Sequence, residues 1–160
     1  MPRRSLIQEE IKQGTPFPTK SAEAWLTLLR TVTILRRPVE AVAQSEGLSL
    51  QQYNVLRILR GARGPLPTME IADRLIEPSP GITRMVNNLE EKGLLRREQW
   101  PGDRRQVLCQ ITPAGLRILE KLQEPMDRLD DETLGRLPED RLETLIEILD
   151  EIRLSLKPDT

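Results

Sequence analysis

The chain has 160 residues, of which 38% are hydrophobic and 31% charged, with a formal net charge of −1; this suits one compact domain, or one domain with an attached oligomerisation segment, rich in helix. There is no His, a lone Cys109 and no Cys/His cluster, which excludes His-based acid–base catalysis, an internal disulfide and a zinc site, so no metal, no cofactor and no enzymatic activity are expected. Met1-Pro2-Arg3-Arg4-Ser5 leads into no apolar core and no stretch approaches membrane-spanning length, which makes a cytoplasmic protein without a membrane partner the expectation.

Charge is unevenly placed. Residues 1–120 hold 18 Lys/Arg against 13 Asp/Glu, whereas residues 121–160 hold 6 against 12. A basic working surface with an acidic remainder gives this split, and so does an ordinary acidic helical tail. Phe17, Trp25, Tyr53 and Trp100 are the only aromatics, so the core is expected to be Leu, Ile and Val.

Gly14, Pro16 and Pro18 mark residues 1–20 as a loose, flexible arm, with a short helix at Leu6 to Lys12. From Ser21, Trp25, Leu28, Leu29, Val32, Leu35, Val39 and Val42 fall near one helical face; Pro38 should kink or divide this helix and Gly47 closes it. Ser49-Leu50-Gln51-Gln52 is a capping box opening a helix that buries Tyr53, Val55, Leu56 and Leu59. After the loop of Gly64, Pro65 and Pro67, Thr68 is expected to cap a short helix carrying Ile71, Ala72 and Leu75. A turn at Ile76-Glu77-Pro78 follows. Ser79 is then expected to cap a second helix with Pro80 at its first position, a buried stripe of Ile82, Met85, Val86 and Leu89, and Gly93 as its stop.

From Leu94 the period becomes alternating. Two strands, Leu94 to Trp100 and a return carrying Val107, Cys109 and Ile111, flank the turn Pro101-Gly102-Asp103 and make a hairpin with a basic tip. Thr112-Pro113 caps a helix through Leu116, Leu119, Leu122, Met126 and Leu129, with a bend expected at Pro125. A last helix from Pro138 bears Leu142, Leu145, Ile146, Leu149, Ile152 and Leu156 at helical spacing. No later element can cover that stripe, so the first helix or a second subunit must. The fold class is therefore mainly α with a small β-hairpin wing (α+β).

A short helix, a tight turn and a second helix form a helix-turn-helix, whose second helix can enter a major groove. Its apolar stripe leaves Thr83, Arg84, Asn87 and Asn88 outward: Arg84 suits guanine O6 and N7, and Asn87 or Asn88 suits adenine N6 and N7. Thr68, Ser79 and the Pro80-Gly81 helix start suit phosphate oxygens. Asp103-Arg104-Arg105 at the hairpin tip suits a narrow minor groove, with Asp103 orienting an Arg. Singly, each of these residues fits equally a solvated surface, and the whole fits a winged-helix protein–protein module that does not bind DNA. The alternative would not need Arg84 or the Arg pair exposed.

Thr68 to Gly115 resembles the MarR family of winged helix-turn-helix transcription regulators. The resemblance lies in Ile71-Ala72-Asp73-Arg74-Leu75, in Thr83 through Leu94, and in the pattern Asp-x-Arg, five residues, Leu-Thr, two residues, Gly, met by Asp103, Arg105, Ile111-Thr112 and Gly115 with Ile for Leu. It implies a homodimer, usually a repressor, whose paired recognition helices read a pseudo-palindromic site in double-stranded DNA. It implies further that Arg105 enters the flanking minor groove, supported by Asp103, with Arg104 nearer phosphate. One departure is Asn87-Asn88 where the family often has Asp-Arg. The implied layout is a dimerisation helix at 21–47, the winged helix-turn-helix at 48–112 and dimerisation helices at 113–160. Family members are often released by a small aromatic or phenolic effector, for which Trp25 and Tyr53 are the candidate pocket residues. Others sense peroxide through a cysteine, but Cys109 reads as a core residue of a strand.

Overall fold

Each end of the long first helix is set by a local signal. In the computed structural model, which describes residues 5–100 and 102–157 except the side chains of Arg104 and Arg105, helix α2 spans Lys20–Ser45. Thr19 caps it, its hydroxyl accepting from the Ala22 amide at 3.1 Å, and Gly47 follows its end. Pro38 lies inside α2 and does not divide it: one missing amide donor is outweighed by the packing of Val39, Val42 and Ala43 against the core. The short helix expected at Leu6 to Lys12 is present and packs on α2. Helix α1 (Leu6–Glu10) buries Ile7, and Glu10 accepts from Arg30 of α2 at 3.1 Å. Residues 1–4 lie outside the described residues.

Helix α3 (Leu50–Gly61) starts at the capping box as expected. The Gln52 amide donates to Ser49 Oγ at 3.1 Å and the Ser49 amide donates to Gln52 Oε1 at 3.0 Å. A two-residue strand, β1 (Leu66–Pro67), leads into α4 (Thr68–Asp73). Here the cap position belongs to Pro67, not Thr68. The Thr68 hydroxyl instead faces the hairpin, 3.4 Å from the Val107 carbonyl and 3.5 Å from Cys109 Sγ. Helix α5 (Ile82–Glu91) begins later than expected, with Gly81 at its cap and no side-chain cap from Ser79, because Pro80-Gly81 is taken up by a turn. It ends at a Schellman arrangement. Gly93 has φ +71°, its amide donates to the Glu90 carbonyl at 2.7 Å, and the Leu94 amide donates to the Leu89 carbonyl at 2.9 Å.

Strands β2 (Leu95–Trp100) and β3 (Asp103–Ile111) pair antiparallel from Leu95↔Ile111 to Gln99↔Val107, with β1 on the other edge of β3, giving the order β1-β3-β2. Trp100 pairs with Asp103, so β2 advances one residue while β3 passes through 104–106. Asp103-Arg104-Arg105 therefore belongs to the irregular start of β3 rather than to the turn between the strands. Pro101 lies outside the described residues.

Helix α6 (Pro113–Glu132) runs unbroken past Pro125; after a 3₁₀ turn (Leu134–Arg136), α7 (Glu139–Ser155) closes the described chain. One apolar core joins α2, α3, α4, α5, the sheet and α6, and no residue of α7 enters it. None of the described helices is long and apolar enough to cross a membrane.

Among the described glycines, the closest backbone approach lies where α5, β2, β3 and α6 meet. The Thr112 hydroxyl donates to the Gly93 carbonyl at 2.7 Å and accepts from the Gly115 amide at 3.2 Å, and the Thr112 amide donates to the Leu94 carbonyl at 3.1 Å. A Cβ on Gly115 would sit 2.3 Å from the Leu94 carbonyl oxygen and 2.8 Å from Ile111 Cγ1. Gly115→Ala should therefore destabilise the fold by about 1–3 kcal/mol, despite alanine's helix propensity, as measured by urea unfolding. Equal or higher stability would show that the backbone gives way freely.

Candidate nucleic-acid interface

Helices α4 and α5, with the turn at 74–81, form the expected helix-turn-helix. Arg36 of α2 holds the turn by donating to Glu77 at 2.6 Å. On α5, Ile82, Val86 and Leu89 are buried, which fixes the opposite face outward, and Thr83 and Arg84 are exposed. Among the described residues no carboxylate pairs with Arg84. Pro80 and Gly81 are exposed; Ser79 and Thr68 are half-buried.

Asn87 and Asn88, expected to face outward with one or the other suited to adenine, also have partners within the protein. Both are half-buried and each spends its side-chain oxygen inside the protein. Arg97 of β2 donates to Asn87 Oδ1, and Gln52 Nε2 of α3 donates to Asn88 Oδ1 at 2.7 Å. Arg97 also grips Glu90 of α5. Its amide and its Nε donate to the two carboxylate oxygens at 3.0 and 2.7 Å, and its Nη2 lies 2.6 Å from Glu90 Oε2. The Arg97 guanidinium holds the Glu90 carboxyl below its ordinary pKa. The missed residues are thus Gln52, Glu90 and Arg97, which position the reading face. Only contacts between distant parts of the chain reveal them.

Between α4, α5 and the sheet lies a cleft of about 520 Å³, with Thr68 and Glu70, Thr83, and Arg97 and Gln106 on its walls. The recognition helix and the wing are two sides of one groove. Asp103 is half-buried at the start of β3; the side chains of Arg104 and Arg105 lie outside the described residues. Cys109 is fully buried, and burial pushes its thiol up in pKa, in keeping with a core residue. Trp25 stands 61% exposed on α2 while Tyr53 is in the core with the Arg57 guanidinium over its ring, and neither lines this cleft.

Exposed apolar residues also lie on α7 and on α2. On α7, Ile146, Ile152 and the following Leu156 are 57%, 43% and 76% exposed, Leu142, Leu145 and Leu149 are half-buried, and on α2 Trp25, Leu29 and Val32 are exposed.

A model of the MarR family matches residues 48–107. The HTH-type transcriptional regulator MhqR of Bacillus subtilis (strain 168) is 30% identical over 138 residues, 86% of this chain and 94% of that protein. The chain belongs to the MarR family. A MarR transcription factor from Planctomyces limnophilus has the same fold at 37% identity and a TM-score of 0.66, over 84% of this chain and 98% of that one. The MarR family regulator Sco3205 from Streptomyces coelicolor, solved in complex with DNA, superposes with a TM-score of 0.79 over 91% of this chain and 94% of that one; at 23% identity this likeness shows the fold. As a MarR protein the chain is a DNA-binding transcription regulator, and a bridging module without DNA binding is not favoured.

Because Glu90 is depressed in the folded state, its contribution is complete above the ordinary Glu value of about 4.3 and is lost as pH falls through the folded value. Glu90→Gln should lower stability at pH 7 by up to about 1 kcal/mol, the scale of a partly exposed ion pair. The melting gap between E90Q and the parent should shrink at pH 3; a gap equal at both pH values would remove the clamp from the account.

Proposed function

We propose that this MarR protein is a homodimeric repressor that reads a pseudo-palindromic operator. Residues 48–112 form the reading unit, and α2 with the segment 113–160 forms the dimerisation unit. The observation that carries this reading is Arg84, exposed and without a carboxylate partner among the described residues, beside Thr83 on a recognition helix whose other face is locked in the core. An unpaired guanidinium there fits a guanine edge. The helix start at Ser79, Pro80 and Gly81, together with Thr68, adjoins the phosphates. Asp103, Arg104 and Arg105 lie on the wing and reach the flanking minor groove, with Arg105 inserted.

Dimerisation is supported by the apolar surface of α7 and α2. Burying each Leu or Ile there contributes roughly 1.5–3 kcal/mol, and two half-sites a helical turn apart need two readers. A small aromatic or phenolic effector acting near Trp25 and Tyr53 is the family's usual means of release; supporting it, Trp25 is on the apolar surface that dimerisation would cover.

Binding to operator DNA should fall steeply as salt rises, because each neutralised phosphate releases counterions. Arg84→Ala and Arg105→Ala should each weaken binding at least about tenfold in fluorescence anisotropy, with the melting temperature unchanged. Parental affinity in R105A would remove the wing from the interface. The doubly substituted I146D/I152D protein should sediment as a monomer and lose operator affinity; an intact dimer would place the contact elsewhere.

A further inference from the structure

The two asparagines of the recognition helix are wired in one hydrogen-bond polarity. The ends of a carboxamide are told apart by their partners. The Ser49 amide can only donate, so the end of Gln52 that it meets at 3.0 Å is Oε1. The other end of Gln52 is therefore the donor Nε2, and the atom it reaches on Asn88 at 2.7 Å is Oδ1. Arginine has no acceptor, so the end of Asn87 that Arg97 holds is Oδ1 too. Among the described residues neither Nδ2 donates within the protein, and neither is a buried unpartnered atom. Both amide groups thus stay open to solvent beside Arg84, itself a pure donor.

We propose that the recognition helix presents donors at Arg84, Asn87 and Asn88, and so selects guanine or thymine and discriminates against adenine and cytosine where Asn87 and Asn88 meet the bases. In the major groove guanine offers O6 and N7 and thymine O4, all acceptors; cytosine offers only the donor N4, and adenine sets its N6 donor beside N7. The paired Asn–adenine contact needs an outward Oδ1, which Gln52 and Arg97 deny. Gln52 touches no base in this scheme; it is a positioning residue, 36 residues upstream of Asn88, whose orientation comes from the helix cap at Ser49. The proposal rests on α5 being the reading helix.

Gln52→Glu tests it. A carboxylate keeps the capping box, since it accepts from the Ser49 amide as Gln52 does, but it cannot donate to Asn88. Asn88 then turns its amide over, giving Nδ2 to the carboxylate and Oδ1 to the groove. Binding sites selected from random duplexes by wild type and Q52E should share one motif except at one position per half-site. There guanine or thymine should give way to adenine or cytosine on the same strand, with a preference of at least about fivefold. Identical motifs from two proteins that melt alike would overturn the wiring and leave DNA reading by α5 intact. Failure of the wild-type protein to select any motif would instead overturn the reading itself, and the proposal with it. Should Q52E fold poorly, wild type alone decides. Replacing each half-site guanine by 7-deazaguanine should weaken binding at one or more positions, and replacing each adenine by purine, which lacks the 6-amino group, should not. The reverse pattern would overturn the proposal.

Discussion

The geometry of the reading unit depends on a backbone approach too close for any side chain. At Gly115 the first turn of α6 lies against the Leu94 carbonyl, and Thr112 bridges the end of α5 to the start of α6 with a single hydroxyl that donates to one and accepts from the other. The hairpin leaves from and returns to this point, so the axis of the recognition helix, the root of the wing and the start of α6 share one set of hydrogen bonds. The family pattern of Thr, two residues, Gly has its physical reason here: one residue satisfies the orphan groups of two helix ends, and the other has no Cβ to obstruct them.

Outside that joint the polar work is done in a half-buried layer. No polar or charged residue among the described ones is fully buried. The core is apolar throughout and costs nothing in desolvated charge. Above it, Arg97 fastens the wing to α5 through Glu90 and Asn87, and Gln52 fastens α3 to α5 through Asn88. These groups keep partial contact with water, so the bonds are individually modest. Their effect is to orient: they decide which atoms of the recognition helix face outward, while the apolar stripe decides only which side chains do.

Local signals were legible in the sequence, and long-range ones were not. The capping box at Ser49 and Gln52, the left-handed stop at Gly93 and the Thr112 cap all concern residues within a few positions of one another, and all stand where the spacing puts them. Thr68 and Ser79 look like caps by the same criteria, yet neither caps. The Thr68 hydroxyl turns to a strand 39 residues away, and Pro80-Gly81 makes a turn that moves the helix start to Ile82. Strand β1 is two residues long and ends in proline, so no alternation could reveal it; only its pairing with β3 defines it. Periodicity puts Asn87 and Asn88 off the apolar stripe, but it assigns only a face to a residue and says nothing about which end of its amide is spoken for.

A net negative chain that binds DNA is no contradiction once distance is considered. Helix α6 has 20 residues and so extends about 30 Å, and the acidic excess gathers toward its far end, at Asp127, Asp130, Asp131 and Glu132, and at Glu139 and Asp140 where α7 begins. From the Thr112 joint those four carboxylates of α6, Asp127 to Glu132, lie roughly 20–30 Å along that axis, whereas ions screen exposed charge over about 8 Å at physiological strength. Across two or more such lengths their repulsion of phosphate is largely extinguished, while Arg84 on the recognition helix needs no attenuation because it meets the duplex directly. What the protein's own charge must satisfy at the groove is therefore local, and the balance over the whole chain places no constraint on it.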